Sequence, residues 1–203
     1  QSRMGKREMS HVEVFEKEVL EEVRRAINEI VEIYRDHQYF WGNTAGWAPE
    51  EAEKILTRSR LDWLHALSES LFTWTEVYRT STDNEGKLIL AWANLGALLE
   101  GGIKLFLSVH VNQYQNSQHR LQDQKGNLIE PDVLPLEKLK VFLQKENIFE
   151  KKWFPFISLV QQRRNAIHAY KHREIGNWTE FYESIKKLRT FTQEIKGRLP
   201  YPG

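Results

Sequence analysis

The 203-residue chain has no cysteine, only 6 prolines and 2 methionines, and a formal net charge of +1. Without thiols it can build neither a disulfide scaffold nor a thiolate metal centre, which fits a reducing cytoplasm. A near-neutral balance removes overall basicity as an argument for nucleic acid. The opening QSRMGKREMS is polar and does not read as a secretory signal, so a cytoplasmic location is expected, with Gln1–Arg3 a remnant before Met4. Gly101–Gly102 lacks the Lys and Ser/Thr of a phosphate loop, and no nucleophile elbow is present, so nucleotide hydrolysis is not expected. Aromatic residues are plentiful: 7 Trp, 7 Tyr and 10 Phe exclude a disordered chain. The longest apolar run, Leu88–Val109, would span a bilayer, but Asn94, Glu100 and Lys104 interrupt it. Each is expensive in hydrocarbon, so the run is expected to be a central buried helix, with no membrane partner.

Hydrophobic spacing is helical almost throughout. Val12, Phe15, Val19, Val23, Ile27, Ile30 and Tyr34 form one stripe at steps of three and four, behind a capping box of Ser10 and Glu13. Trp41–Pro49 breaks it. A second helix is expected from Pro49 to about Tyr78, then a turn at Ser81–Gly86 and a third helix over Lys87–Val111. Ala93, Gly96, Ala97, Gly101 and Gly102 thin one side of that helix, for close packing inside the bundle or along a dimer seam. Asn112–Pro135 is polar and too long for an ordinary connection, either a small hairpin or a flap. Helices over Leu136–Asn147, Trp153–Arg173 and Trp178–Arg198 complete the pattern. The expected fold is an all-α compact bundle of long antiparallel helices, one domain over 1–203, with 1–9 disordered and 112–135 inserted before the motif helix.

Charge is unevenly divided. His11–Lys54 carries eleven acids against five Lys or Arg, Lys151–Gly203 carries eleven Lys or Arg against four Glu, and Lys151–Arg173 holds no acid. A neutral chain can therefore present a basic face to phosphate. Within the acid-free stretch Phe156, Val160, Arg163, Ile167 and Tyr170 share a stripe, which sets Arg163 at the edge of an apolar face. A structural role for it would be a bridge to an acidic helix such as the first. Arg164 and His168 stand four apart, neighbours on a helix, and Arg163 and His168 five apart, in reach of one anion. Arginine binds phosphate through two donors, and an imidazole near neutrality gives or takes a proton. Glu100 is either a buried partner of a motif arginine or solvent-facing. His168 and His172 are four apart with no further ligand, so no metal site is expected. His110 and His119 read as isolated, and the tryptophans as mostly core, with Trp41 and Trp47 in a loop where a base could stack.

The segment RRNAIHAY, Arg163–Tyr170, reads Arg, four residues, His, one residue, Tyr. In this it resembles the R-x(4–6)-H signature of the HEPN superfamily (higher eukaryotes and prokaryotes nucleotide-binding domains), compact α-helical bundles with the motif on a late helix. The resemblance implies a metal-independent endoribonuclease. The ribose 2′-hydroxyl attacks the adjacent phosphorus, leaving a 2′,3′-cyclic phosphate and a 5′-hydroxyl. It implies catalytic roles for Arg163 and His168, with Arg164, Asn165, Tyr170, Lys171 and Arg173 supporting or binding RNA; no cofactor is expected. Family members pair two motifs across an interface, which implies a homodimer, in a defence, toxin or stress role. Tyr170 matches the modified tyrosine of HEPN toxins that have a nucleotidyltransferase antitoxin, so an antitoxin or regulatory protein is a further possible partner. One departure stands out: Arg164 follows Arg163, and Asn165 comes a place later than the family's usual polar residue. Either Arg164 fills that slot, or Arg164 is the working arginine with three-residue spacing. The alternatives are a non-catalytic module that binds nucleotide, RNA or protein through the same face, and a helical scaffold in which the motif is coincidental.

Overall fold

The computed structural model describes residues 11–76 and 84–201, with side chains from Lys17 onward. The capping box at Ser10, the segment 1–9 and most of the turn before the third expected helix lie outside the described residues. Helix α1 (His11–Trp41) buries Val23, Ile27, Ile30 and Tyr34, the stripe its spacing predicts. Pro49 and three glutamates open α2 (Glu50–Arg58), where the free N–H groups favour negative charge. The expected single helix from Pro49 to Tyr78 is broken. Ser59 is extended and its hydroxyl donates to Leu56 O at 2.6 Å, while Arg58 turns away to pair with Glu130 and Asp132. The chain restarts as α3 (Leu61–Glu69) and tightens into a 3₁₀ segment, Ser70–Thr75.

Helix α4 (Asn84–Val109) is the central element, long and apolar enough to cross a membrane by length and composition. In the bundle its apolar residues are packed instead against α3, α7 (Trp153–Arg164) and α8 (Trp178–Arg198). Its polar interruptions are satisfied: Asn94 hydrogen-bonds Ser70 Oγ at 2.6 Å, and Glu100 pairs with Lys104 and Arg164. Its glycines serve the bundle, since a Cβ on Gly101 would strike Leu64 and one on Gly102 would meet the Tyr34 hydroxyl. Helices α5 (Val111–Asn116) and α6 (Leu136–Lys145) cover one end. Among the described residues there are eight α-helices, no strand and one isolated bridge, Gln122–Leu128, so the fold is an all-α bundle.

The structure corrects the length of the motif helix and adds two details, the relative directions of the helices and which of its two expected forms the polar insertion takes. The longest helices, α1, α4 and α8, run the same way: Glu22 faces Lys186, Asp36 faces Lys196, Trp92 packs on Phe181 and Gly102 lies by Ile195. Returning helices lie between them in the chain, and α3 and α7 supply the antiparallel neighbours. Helix α7 stops at Arg164 rather than Arg173; one 3₁₀ turn, Asn165–His168, follows, and Ala169 takes a positive φ of 44°. Beyond Arg163 the stripe has nothing to bury against: Ile167 is 47% exposed and Tyr170 105%. The polar insertion is a tied-down hairpin. Asp123 accepts from the N–H groups of Lys125 and Asn127, Ile129 N donates to Leu121 O at 2.9 Å, and the Tyr114 hydroxyl donates to Ile129 O at 2.7 Å.

The charge asymmetry is resolved inside the molecule. Acids of α1 meet bases of α8 at Glu22–Lys186, Glu29–Arg189 and Asp36–Lys196. Beneath the last pair lies His37, 1% exposed, with Nδ1 2.8 Å from the Tyr201 hydroxyl. Burial, aided by Lys196 and opposed by Asp36, pushes its pKa down from 6.5 to about 4. Unfolded His37 takes up a proton below pH 6.5, whereas folded His37 stays neutral to about 4. Stability is therefore complete above the upper value and falls as pH drops through this window, by on the order of 3 kcal/mol. Thermal melts across it should show a falling Tm for the wild type and a flatter profile for His37→Gln.

Candidate functional site

Consecutive helical residues project about 100° apart. At the end of α7 this sends two adjacent arginines to different helices. Arg163, 15% exposed at its side chain, donates from Nε and Nη2 to the two oxygens of Glu180 on α8, at 3.2 and 3.1 Å. Its Nη1 donates to Glu174 O at 2.6 Å. Glu180 is placed for this because Asn177 caps α8, its Oδ1 accepting from Glu180 N at 2.9 Å. Gly176 crosses over the ion pair with φ 66°, and a Cβ there would run into the Glu180 carboxylate. Trp92 Nε1 donates to Ile175 O at 2.8 Å and fastens the same loop to α4. Arg163 thus holds the loop between α7 and α8, and its acidic partner is on α8, not on the first helix.

Arg164 turns towards α4. Gly96 makes room for it: a Cβ at that position would lie 2.5 Å from Arg164 Cδ and 3.0 Å from its Cβ. The guanidinium then reaches Glu100, Nη1 to Oε2, at 2.5 Å, and Lys104 Nζ lies 2.8 Å from the other Glu100 oxygen. These groups line an open cleft of about 440 Å³ with Ala93, Ala97, Gly101, Asn165, Ile167 and His168. A cleft of that size takes a nucleotide-sized ligand. Of the two arginines the sequence leaves open, Arg164 is the one beside His168, and Asn165 shares their cleft. The 3₁₀ turn brings His168 to its mouth, where the ring is exposed.

The remaining expected residues lie elsewhere. Tyr170 is fully exposed, and Tyr170, Lys171 and Arg173 sit on the irregular loop rather than on a helix. Neither Lys171 nor Arg173 pairs with a carboxylate among the described residues. With the helix ended, His172 no longer shares a helical face with His168; it lies 4.0 Å from Glu174, largely exposed. His119 is not isolated: its Nδ1 is 2.6 Å from Glu146, whose same oxygen accepts from Ser117 Oγ. Those hydrogen bonds, Ser117 first, hold the Glu146 carboxyl below the usual range. Trp41 is buried, while Trp47 is 44% exposed and leans on Phe40 and Trp41.

Two larger hollows, about 660 and 690 Å³, lie along α1 and α8. The first is lined by Glu18, Glu22 and Glu29 against two arginines, a poor match for phosphate. The motif cleft has instead Arg164 and Lys104 against Glu100. Sequence reading missed Gly96, Lys104 and Glu180. The four-residue spacing of Gly96, Glu100 and Lys104 on one helical face is the signal that would have found the first two.

Two backbone positions make the loop geometry testable. Gly176→Ala combines a positive φ with a clash and is expected to lower stability by roughly 2 kcal/mol. Ala169→Gly relieves a left-handed residue and is expected to raise it by up to about 1 kcal/mol. Chemical denaturation of both variants beside the wild type checks the pair. No known protein family, curated protein or solved structure matches this chain.

Proposed function

We propose that this protein is a metal-independent endoribonuclease of the HEPN kind, working with Arg164 rather than Arg163. The observation that supports this reading is the cleft in which Arg164, Lys104 and His168 converge. A phosphodiester placed there meets the guanidinium and the ammonium, which would stabilise the charge that builds on phosphorus as the 2′-hydroxyl attacks. His168 at the mouth takes or delivers the proton, and the products are a 2′,3′-cyclic phosphate and a 5′-hydroxyl. Attack needs a base, and departure of the 5′-oxygen needs an acid. Among the residues lining the cleft His168 is the only imidazole. A second copy of the chain would supply the other, and exposed Ile167 and Tyr170 beside His168 offer that copy an apolar contact. The cytoplasmic setting rests on the absence of cysteine and of a secretory signal, and the defence or stress role and an antitoxin partner rest on the resemblance alone.

The same single imidazole favours one second reading, a module that binds RNA or nucleotide without cleaving it. Labelled RNA incubated in EDTA separates the two. The wild type should yield cyclic-phosphate ends. His168→Ala and Arg164→Ala should each lose at least about 100-fold in rate while remaining folded. Arg163→Ala should act mainly by lowering the melting temperature. Binding without cleavage by a folded, dimeric wild type would select the second reading, and full activity in His168→Ala would sink the first.

A further inference from the structure

Glu100 has no place in the proposed proton transfers, yet it sits at the centre of the cleft. Its side chain is 15% exposed, one oxygen on Arg164 at 2.5 Å and the other on Lys104 at 2.8 Å. Arg164 also donates to Gly96 O at 3.4 Å, so the guanidinium is steered from two points on α4. Two cations against one carboxylate leave one formal positive charge on this triad.

We infer that Glu100 is a specificity residue, which lowers the charge of the cleft to match the single negative charge of an internal phosphodiester and so weakens the hold on a terminal phosphomonoester more than the hold on a diester. The inference rests on the reading that the cleft receives RNA phosphate. Without Glu100 the triad would carry two positive charges, the complement of a phosphomonoester dianion. With it, a dianion leaves one charge uncompensated next to a carboxylate that is held in place. An internal linkage leaves none. Glutamine at this position keeps one acceptor oxygen for Arg164, removes the charge, and gives up the acceptor that faces Lys104.

Electrostatic energy at fixed distance scales with the ligand's charge. The fold-change for a dianion is therefore about the square of that for a monoanion. Two probes that lack a 2′-hydroxyl and cannot be cleaved give the comparison: thymidylyl-(3′,5′)-thymidine, a monoanion, and thymidine 3′-monophosphate, a dianion at pH 8 since its second pKa is about 6. Affinities of the full chain are measured by NMR titration. Glu100→Gln is expected to tighten the diester roughly threefold and the monoester roughly tenfold. Lys104→Gln should weaken the diester roughly threefold and the monoester roughly tenfold, and the double variant should return to the wild-type ratio.

Equal changes for both probes, weaker binding by Glu100→Gln, or a wild type that binds neither probe would overturn the inference. Cleavage of RNA in the same preparation separates the two readings. If the wild type cleaves in a His168-dependent way, the nuclease reading stands while the charge-matching falls. If it neither cleaves nor binds, both fall.

Discussion

Arg163 and Glu180 form the contact on which the candidate site depends. The pair is bidentate and largely shielded, with Glu174 O accepting the remaining donor group and Gly176 crossing above it. A shielded guanidinium requires such partners, because unpaired burial of a charge is strongly unfavourable. Once Arg163 is held by α8, the chain cannot continue as helix to Arg173. It must turn at Ala169, and that turn leaves His168 at the mouth of the cleft on α4. The partner arginine, one residue on and about 100° around the helix, faces the cleft because its neighbour faces α8. One arginine gives the loop its shape, and the other lines the cleft, paired with Glu100.

Long-range charge follows a similar division. Bases of α8 and acids of α1 neutralise each other along two helices that run in parallel. Exposed pairs of this kind contribute little stability each, but they decide where charge is left over. On the α4–α7 side, Lys104 and Arg164 share the single carboxylate of Glu100, and Lys171 and Arg173 lie on the loop that follows.

The small residues of α4 connect packing to the site. Gly101 and Gly102 let Leu64 and Tyr34 come close, which draws α3 and α1 onto the central helix. Gly96 admits the stem of Arg164. Glycine disfavours helix by about 1 kcal/mol relative to alanine, so each of these positions gives up local stability for a close approach. At Gly96 the approach delivers a guanidinium to a carboxylate, which concerns the cleft more than the core.

The helices themselves were legible in the sequence, because apolar spacing in α1 and the apolar run of α4 follow from burial that any bundle must achieve. The local chemistry from Arg163 to His168 was legible too, since no acid accompanies its cations and an imidazole stands among them. The sequence also left open, correctly, which arginine faces the site. Spacing alone could not decide it, because the difference lies in Glu180 and Glu100, 17 and 64 residues away in the chain. Tertiary structure likewise decided that the motif helix ends early, that Lys186, Arg189 and Lys196 meet acids of α1, and that the polar insertion is pinned by Tyr114 and Arg58. Periodicity is a local property read along one element. Helix ends, ion-pair partners and the charge left over on a face are settled by whatever the neighbouring elements bring to meet them.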